Sequence, residues 1–124
     1  MIKSEYLNRY LKCNPNVRED AIKNVESFCN DNILLIEFTN GTKMLYDPFT
    51  NFKRRYFKNV QNNFCFILKT ILLHKNISQK ELAMRMNVDE NIVNRFVNGK
   101  QLPDYINLHK ISEAIGCDIN DLYF

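Results

Sequence analysis

Residues 78–100, SQKELAMRMNVDENIVNRFVNGK, constrain the fold more than any other stretch of this chain. They carry the start and stop signals of two short helices with almost nothing between them. Ser78 stands where an N-cap is needed, and Glu81 follows at capping-box spacing. Leu82, Ala83 and Met86 then make one apolar stripe at helical period. Asn87 sits where a helix closes on a left-handed residue, a conformation Asn tolerates better than most. Val88 is the apolar residue of the turn, and Asp89 is an N-cap for the next helix. Ile92, Val93 and Phe96 give that second helix, 89–98, its inward face, and Asn98-Gly99 ends it.

Two short helices joined by so tight a turn match a helix-turn-helix, whose second helix lies in the DNA major groove. The surrounding sequence extends the match. A leading helix over 64–75 carries Phe64, Ile67, Leu68 and Ile71 on one face. Together with ISQKELAMRMNV (77–88) and NGKQLPDYINLHKISEAIGCDINDLY (98–123), residues 64–124 resemble the Cro/repressor (XRE-like) family of five-helix, lambda-repressor-like DNA-binding domains. The resemblance covers about half the chain, in order and without gaps. It implies a fourth helix capped by Asp104 after Pro103, with Leu108, Ile111 and Ile115 inward and Gly116 at its end. Asp118 and Asp121 open a short fifth helix.

The resemblance also assigns roles. Gln79 looks like the residue that holds a phosphate and braces the reading helix. Glu90, Asn91, Asn94 and Arg95 occupy the outward slots of that helix, while Asn98 and Lys100 fall where the following loop approaches the backbone. Asn suits adenine and Arg suits guanine, each in a bidentate manner. Asp89-Glu90 departs from the family, whose members more often carry Ser or Thr and then a neutral or basic residue. Two carboxylates favour the helix through its dipole yet repel DNA phosphates. Glu90 can still accept a bond from a cytosine amino group.

The N-terminal half reads differently. Residues 3–12 form a helix with Tyr6, Leu7, Tyr10 and Leu11 along one side, ended by Asn14-Pro15-Asn16. ILLIEFT (33–39), Asn40-Gly41 and TKMLY (42–46) make a β-hairpin, with 21–29 as a third strand. A two-residue type I′ loop pairs Thr39 with Thr42, Phe38 with Lys43, Ile36 with Leu45 and Leu35 with Tyr46. Residues 22–47 also resemble a small bacterial hairpin domain of unknown function that occurs fused to helix-turn-helix modules. After Asp47-Pro48, the segment 49–61 reads as a basic linker. In it Lys53, Arg54, Arg55 and Lys58 interleave with Phe49, Phe52, Tyr56 and Phe57, making the cations candidate contacts to a phosphate backbone. The fold class is therefore α+β, with a small hairpin domain over 1–61 and the helix-turn-helix domain over 62–124.

Charge and composition narrow the function. The chain carries +3 overall, but residues 1–61 hold ten Lys/Arg against seven Asp/Glu while 62–124 hold seven of each. A DNA-binding domain usually presents a basic surface, so the positive surface is expected on one face of the C-terminal half or from the N-terminal half. Cys13, Cys29, Cys65 and Cys117 form no CxxC pair, and His74 and His109 stand alone, which predicts reduced thiols and no metal site or cofactor. No nucleophile–base constellation or phosphate-cradling glycine loop is present, so a non-enzyme is expected. The absence of an apolar run of roughly 18 residues, or of a secretory leader, predicts a cytoplasmic protein without a membrane span. The reading is a transcriptional regulator, a repressor of bacterial or phage type, acting as a homodimer on double-stranded DNA. The alternative is a protein-binding helix-turn-helix, such as an antitoxin or an anti-CRISPR-like inhibitor of host defence with a protein partner.

Overall fold

The computed structural model describes residues 4–29, 31–56 and 60–122, apart from the side chains of 4, 6 and 60–62. The sequence expectations for the Tyr6 side chain and for Lys58 thus lie outside the described residues. The chain divides into two compact units, Met1–Phe57 and Lys58–Phe124. Among the described residues no helix is long and apolar enough to cross a membrane.

The first unit opens with α1 (Ser4–Cys13) and continues into an antiparallel sheet in the order β1 (Ile22–Phe28), β2 (Ile33–Phe38), β3 (Lys43–Tyr46) and β4 (Lys53–Arg55). Leu7 and Tyr10 of α1 are buried with Ile22, Val25, Leu34, Ile36 and Tyr46 from one face of the sheet. Tyr10 meets Tyr46 edge-on, with ring centroids 4.8 Å apart, the arrangement favoured by the aromatic quadrupole. The helix therefore supplies the cover that a lone hairpin lacks.

The hairpin register differs from the expectation by one residue. Leu34 pairs with Tyr46, Leu35 with Leu45, Ile36 with Met44 and Glu37 with Lys43. Phe38 N–H donates to Thr42 O at 2.9 Å and Gly41 N–H to Phe38 O at 3.0 Å. The loop is thus Thr39-Asn40-Gly41, a turn followed by Gly41 at φ +89°, and Asn40 is absent from the positive-φ residues that a type I′ loop would require. The Asn40 side-chain oxygen instead accepts from Thr42 N–H at 3.0 Å and Thr42 Oγ1 at 2.7 Å. Pairing decides between the two loops. The two-residue loop would set Lys43 against Phe38 and Glu37 against Met44. The observed loop puts opposite charges together and aligns Met44 and Tyr46 with Leu34, Ile36 and Phe38 under α1.

A second correction concerns the segment 49–61. Lys53–Arg55, read as linker, pairs with β3 as the edge strand β4: Met44 opposite Arg55, Leu45 opposite Arg54, Tyr46 opposite Lys53. Strands with both sides in water need no apolar alternation, and all three residues are exposed. Phe49 and Phe52 are exposed as well, while Tyr56 is half-buried.

In the second unit the described residues form α2 (Val60–Lys75), α3 (Gln79–Met86), α4 (Glu90–Val97), α5 (Tyr105–Ile115) and α6 (Ile119–Leu122). Helix α2 starts at Val60, before the expected 64. Phe64, Ile67, Leu68 and Ile71 are buried along it, as are Leu82, Ala83 and Met86 on α3 and Leu108, Ile111 and Ile115 on α5. On α4 the buried residues are Val93, Phe96 and Val97, whereas Ile92 is only half-buried. Helix α3 packs on α4 and α5, and α2 backs α4, α5 and α6.

Candidate nucleic-acid interface

The turn between α3 and α4 is built as its residues dictate. Glu81 N–H donates to Ser78 Oγ at 3.0 Å. The Glu81 carboxylate, instead of closing a capping box, reaches Arg85 at 2.9 Å. Asn87 adopts φ 57°, ψ 48°, the left-handed region. Its N–H donates to Met84 O at 3.2 Å, and Val88 N–H donates to Ala83 O at 3.0 Å, the two bonds of a Schellman closure. Asp89 caps α4 by accepting from Asn91 N–H at 2.8 Å. Helix α4 ends the same way: Gly99 sits at φ +70°, and Lys100 N–H donates to Arg95 O at 2.9 Å. The closure of α2 at Asn76 (φ 54°) follows the same rule, a helix end for which the sequence analysis names no closing residue.

With Val93, Phe96 and Val97 buried, the other side of α4 is turned to water. Glu90, Asn91, Asn94 and Arg95 are all exposed, as are Asn98 and Lys100, and Gln79 is half-buried at the first position of α3. Three of these amides are linked in series. Asn98 Nδ2 donates to Asn94 Oδ1 at 3.0 Å, and Asn94 Nδ2 donates to Gln79 Oε1 at 3.2 Å. The chain runs along the outward face of α4 and ties it to the start of α3. Each amide keeps unused donors or lone pairs, so the series orients the groups without exhausting them. Asn94 and Asn98 stand at i, i+4 and can be paired from sequence alone. The bond to Gln79 depends on how α3 crosses α4, which no local signal reports.

The cations of this unit are not all available at α4. Lys75 Nζ donates to Ile115 O at 2.5 Å, and Arg85 Nη1 donates to Ala114 O at 2.9 Å. Both neutralise the carbonyl end of α5 and its dipole. Arg95 and Lys100 have no side-chain hydrogen bond or ion pair to any described residue. Of the two acidic residues at the mouth of α4, Asp89 is occupied as the cap and Glu90 faces solvent. The four cysteines form no disulfide with one another.

The remaining sequence-derived candidates, Lys53, Arg54 and Arg55, sit together on β4 in the first unit. Among comparisons with known proteins, the helix-turn-helix family model matches residues 68–122. No curated protein and no solved structure matches the chain.

Proposed function

We propose, from the premise that residues 68–122 are a helix-turn-helix segment of the XRE-like kind, that this chain is a sequence-specific regulator of transcription acting on double-stranded DNA. Helix α4 enters the major groove. Asn91 and Asn94 read adenine, Arg95 reads guanine and Glu90 accepts from a cytosine amino group, while Gln79, Asn98 and Lys100 hold phosphates. A homodimer sets two such helices about 34 Å apart on a palindromic site. Occupying an operator that overlaps a promoter makes it a repressor, of the bacterial or phage type.

The observation that carries this reading is the outward face of α4, entirely polar and pre-set by the Gln79–Asn94–Asn98 amide series. Groups already oriented lose less side-chain freedom on binding. Capping by Asp89 accounts for one of the two acidic residues that speak against DNA, because its carboxylate bonds the helix N-terminus.

The test is fluorescence anisotropy of the purified chain on the DNA upstream of its own gene, with scrambled DNA as control, at low and near-physiological salt. Preference for the native sequence that persists at the higher salt is expected, and Arg95→Ala with Asn91→Ala should abolish that preference while the fold is kept. Equal binding to scrambled DNA at both salts refutes the reading and redirects the search to a protein partner by pull-down.

A further inference from the structure

The edge strand of the sheet carries a pattern that its structural role leaves unexplained. The β4 ladder runs one bond past each end: Asp47 N–H donates to Phe52 O at 2.9 Å, and Tyr56 N–H donates to Lys43 O at 2.9 Å. Strand alternation therefore places Phe52, Arg54 and Tyr56 on one face, at steps of roughly 7 Å, with Lys53 and Arg55 on the other. Phe52 is 62% exposed. Arg54 is exposed, and its side chain has no hydrogen bond or ion pair to any described residue. Lys43 Nζ stands 5.9 Å from the Tyr56 ring centroid. In the loop before β4, Phe49 is 51% exposed. The Arg9 guanidinium lies 5.9 Å from its ring centroid and donates to its carbonyl oxygen at 3.2 Å.

Acidic groups are withdrawn from this edge. Asp47, the one carboxylate in residues 47–56, is buried, and it accepts from Phe49 N–H at 2.9 Å and from the Thr50 hydroxyl. Glu37 faces Lys43 in register and lies 3.9 Å from Lys23. Phe49 and Phe52 take no part in the core that α1 and the sheet bury together. Charges alone on an edge strand are a known guard against strand addition, but that leaves Phe52, an apolar ring 62% exposed beside them, unaccounted for. Duplex DNA would use the cations and leave the rings idle, since its bases are already stacked. Unpaired bases use both: aromatic faces stack them, and neighbouring cations neutralise the phosphates.

We propose that β4 and its preceding loop bind single-stranded nucleic acid, with Phe52 and Phe49 as stacking platforms and Arg54, on the same face of the strand as Phe52, on the phosphates. The surface shares no residue with α4. Given the DNA reading of α4, it adds a second, separate nucleic-acid contact, to unpaired strand.

The probe is a fluorescein-labelled oligothymidylate of about a dozen nucleotides, within the span of single-strand sites, titrated with the full chain at low and near-physiological salt. Binding that weakens with salt is expected. Phe52→Ala should weaken it by about fivefold or more, the lower end of one base stack, and Phe52→Trp should restore it. Arg54→Ala should flatten the salt slope by about 0.7, one single-strand phosphate. Arg95→Ala should leave oligothymidylate binding unchanged, so a failure of the α4 reading and a failure of this one give different patterns. Absence of binding at low salt, or binding indifferent to Phe52→Ala, overturns the proposal. So does Phe52-dependent co-sedimentation with phosphatidylserine vesicles without oligothymidylate binding, which would assign the surface to an anionic membrane.

Discussion

Tyr46 offers a quantitative test of the first unit, because its protonation and its packing pull stability in opposite directions as pH rises. The side chain is fully buried, and its hydroxyl donates to Asn51 Oδ1 at 2.8 Å. Burial, with a smaller push from the neighbouring Cys13, raises its pKa from 10 to about 12. Below pH 10 the phenol is protonated in both folded and unfolded chains. Tyr46→Phe then costs only the hydrogen bond, about 1 kcal/mol. Asn51 Oδ1 is not orphaned by the change, because it still accepts from Asn14 Nδ2 at 3.1 Å. Above pH 10 the unfolded phenol ionises while the folded one stays protonated. The native state then holds the extra proton, and stability falls until pH reaches the folded value. Over that two-unit window the wild type should lose about 2.7 kcal/mol that the Phe variant does not lose. The more stable protein below pH 10 thus becomes the less stable one, with the curves crossing near about pH 10.7. Tyr10, whose pKa burial also raises, is present in both proteins, so its own burial contributes to both. Urea unfolding of the two proteins followed by circular dichroism, at steps from about pH 8 to 12, gives the difference directly. A difference that stays constant across that range would mean Tyr46 ionises as readily folded as unfolded, which the buried site forbids.

Substitutions at two further positions bear on the turns. Asn87→Gly should leave thermal stability unchanged or raise it slightly, whereas Asn87→Val should cost about 1–2 kcal/mol for forcing a β-branched residue to φ 57°; equal melting temperatures for the two would refute the left-handed closure. At Gly41 an added Cβ meets nothing within 4 Å, so Gly41→Ala should cost only the backbone term of about 1 kcal/mol. Cross-strand nuclear Overhauser contacts in the wild type should link Leu35 to Leu45 and not to Tyr46.

Helices α3, α4 and α5 are readable from sequence because their boundaries are decided by single residues acting on their own neighbours. Ser78, Asp89 and Asp104 cap with their own side chains. Asn87, Gly99 and Gly116 close by adopting positive φ. Apolar spacing then identifies the inward face, apart from Val97, which takes the buried place expected for Ile92. What such signals leave out is any contact set by how two elements cross. The Gln79–Asn94 bond is of that kind, and so is the diversion of Lys75 and Arg85 to the end of α5. Both bear on the face proposed to read DNA: one orients its amides, and the other engages two cations of the same unit at α5.

The hairpin shows why the N-terminal half resists the same treatment. Asn-Gly serves either a two-residue loop or a three-residue loop with a left-handed glycine, and nothing within the loop itself chooses between them. The choice falls to residues several positions away, where Glu37 meets Lys43 and where Tyr46 must share a face with Leu34 and Ile36 under α1. A one-residue slip would exchange the faces of the whole second strand, so the loop follows the pairing and not the reverse. The same reasoning explains β4. Three consecutive cations look like linker because strand recognition relies on alternation, and alternation arises only where one side is buried. Lys53–Arg55 has neither side buried, so its strand character comes wholly from the ladder offered by β3. An edge strand so dependent on its neighbour is free to choose its side chains for something other than packing. That freedom is why an aromatic–cationic row there points to a ligand.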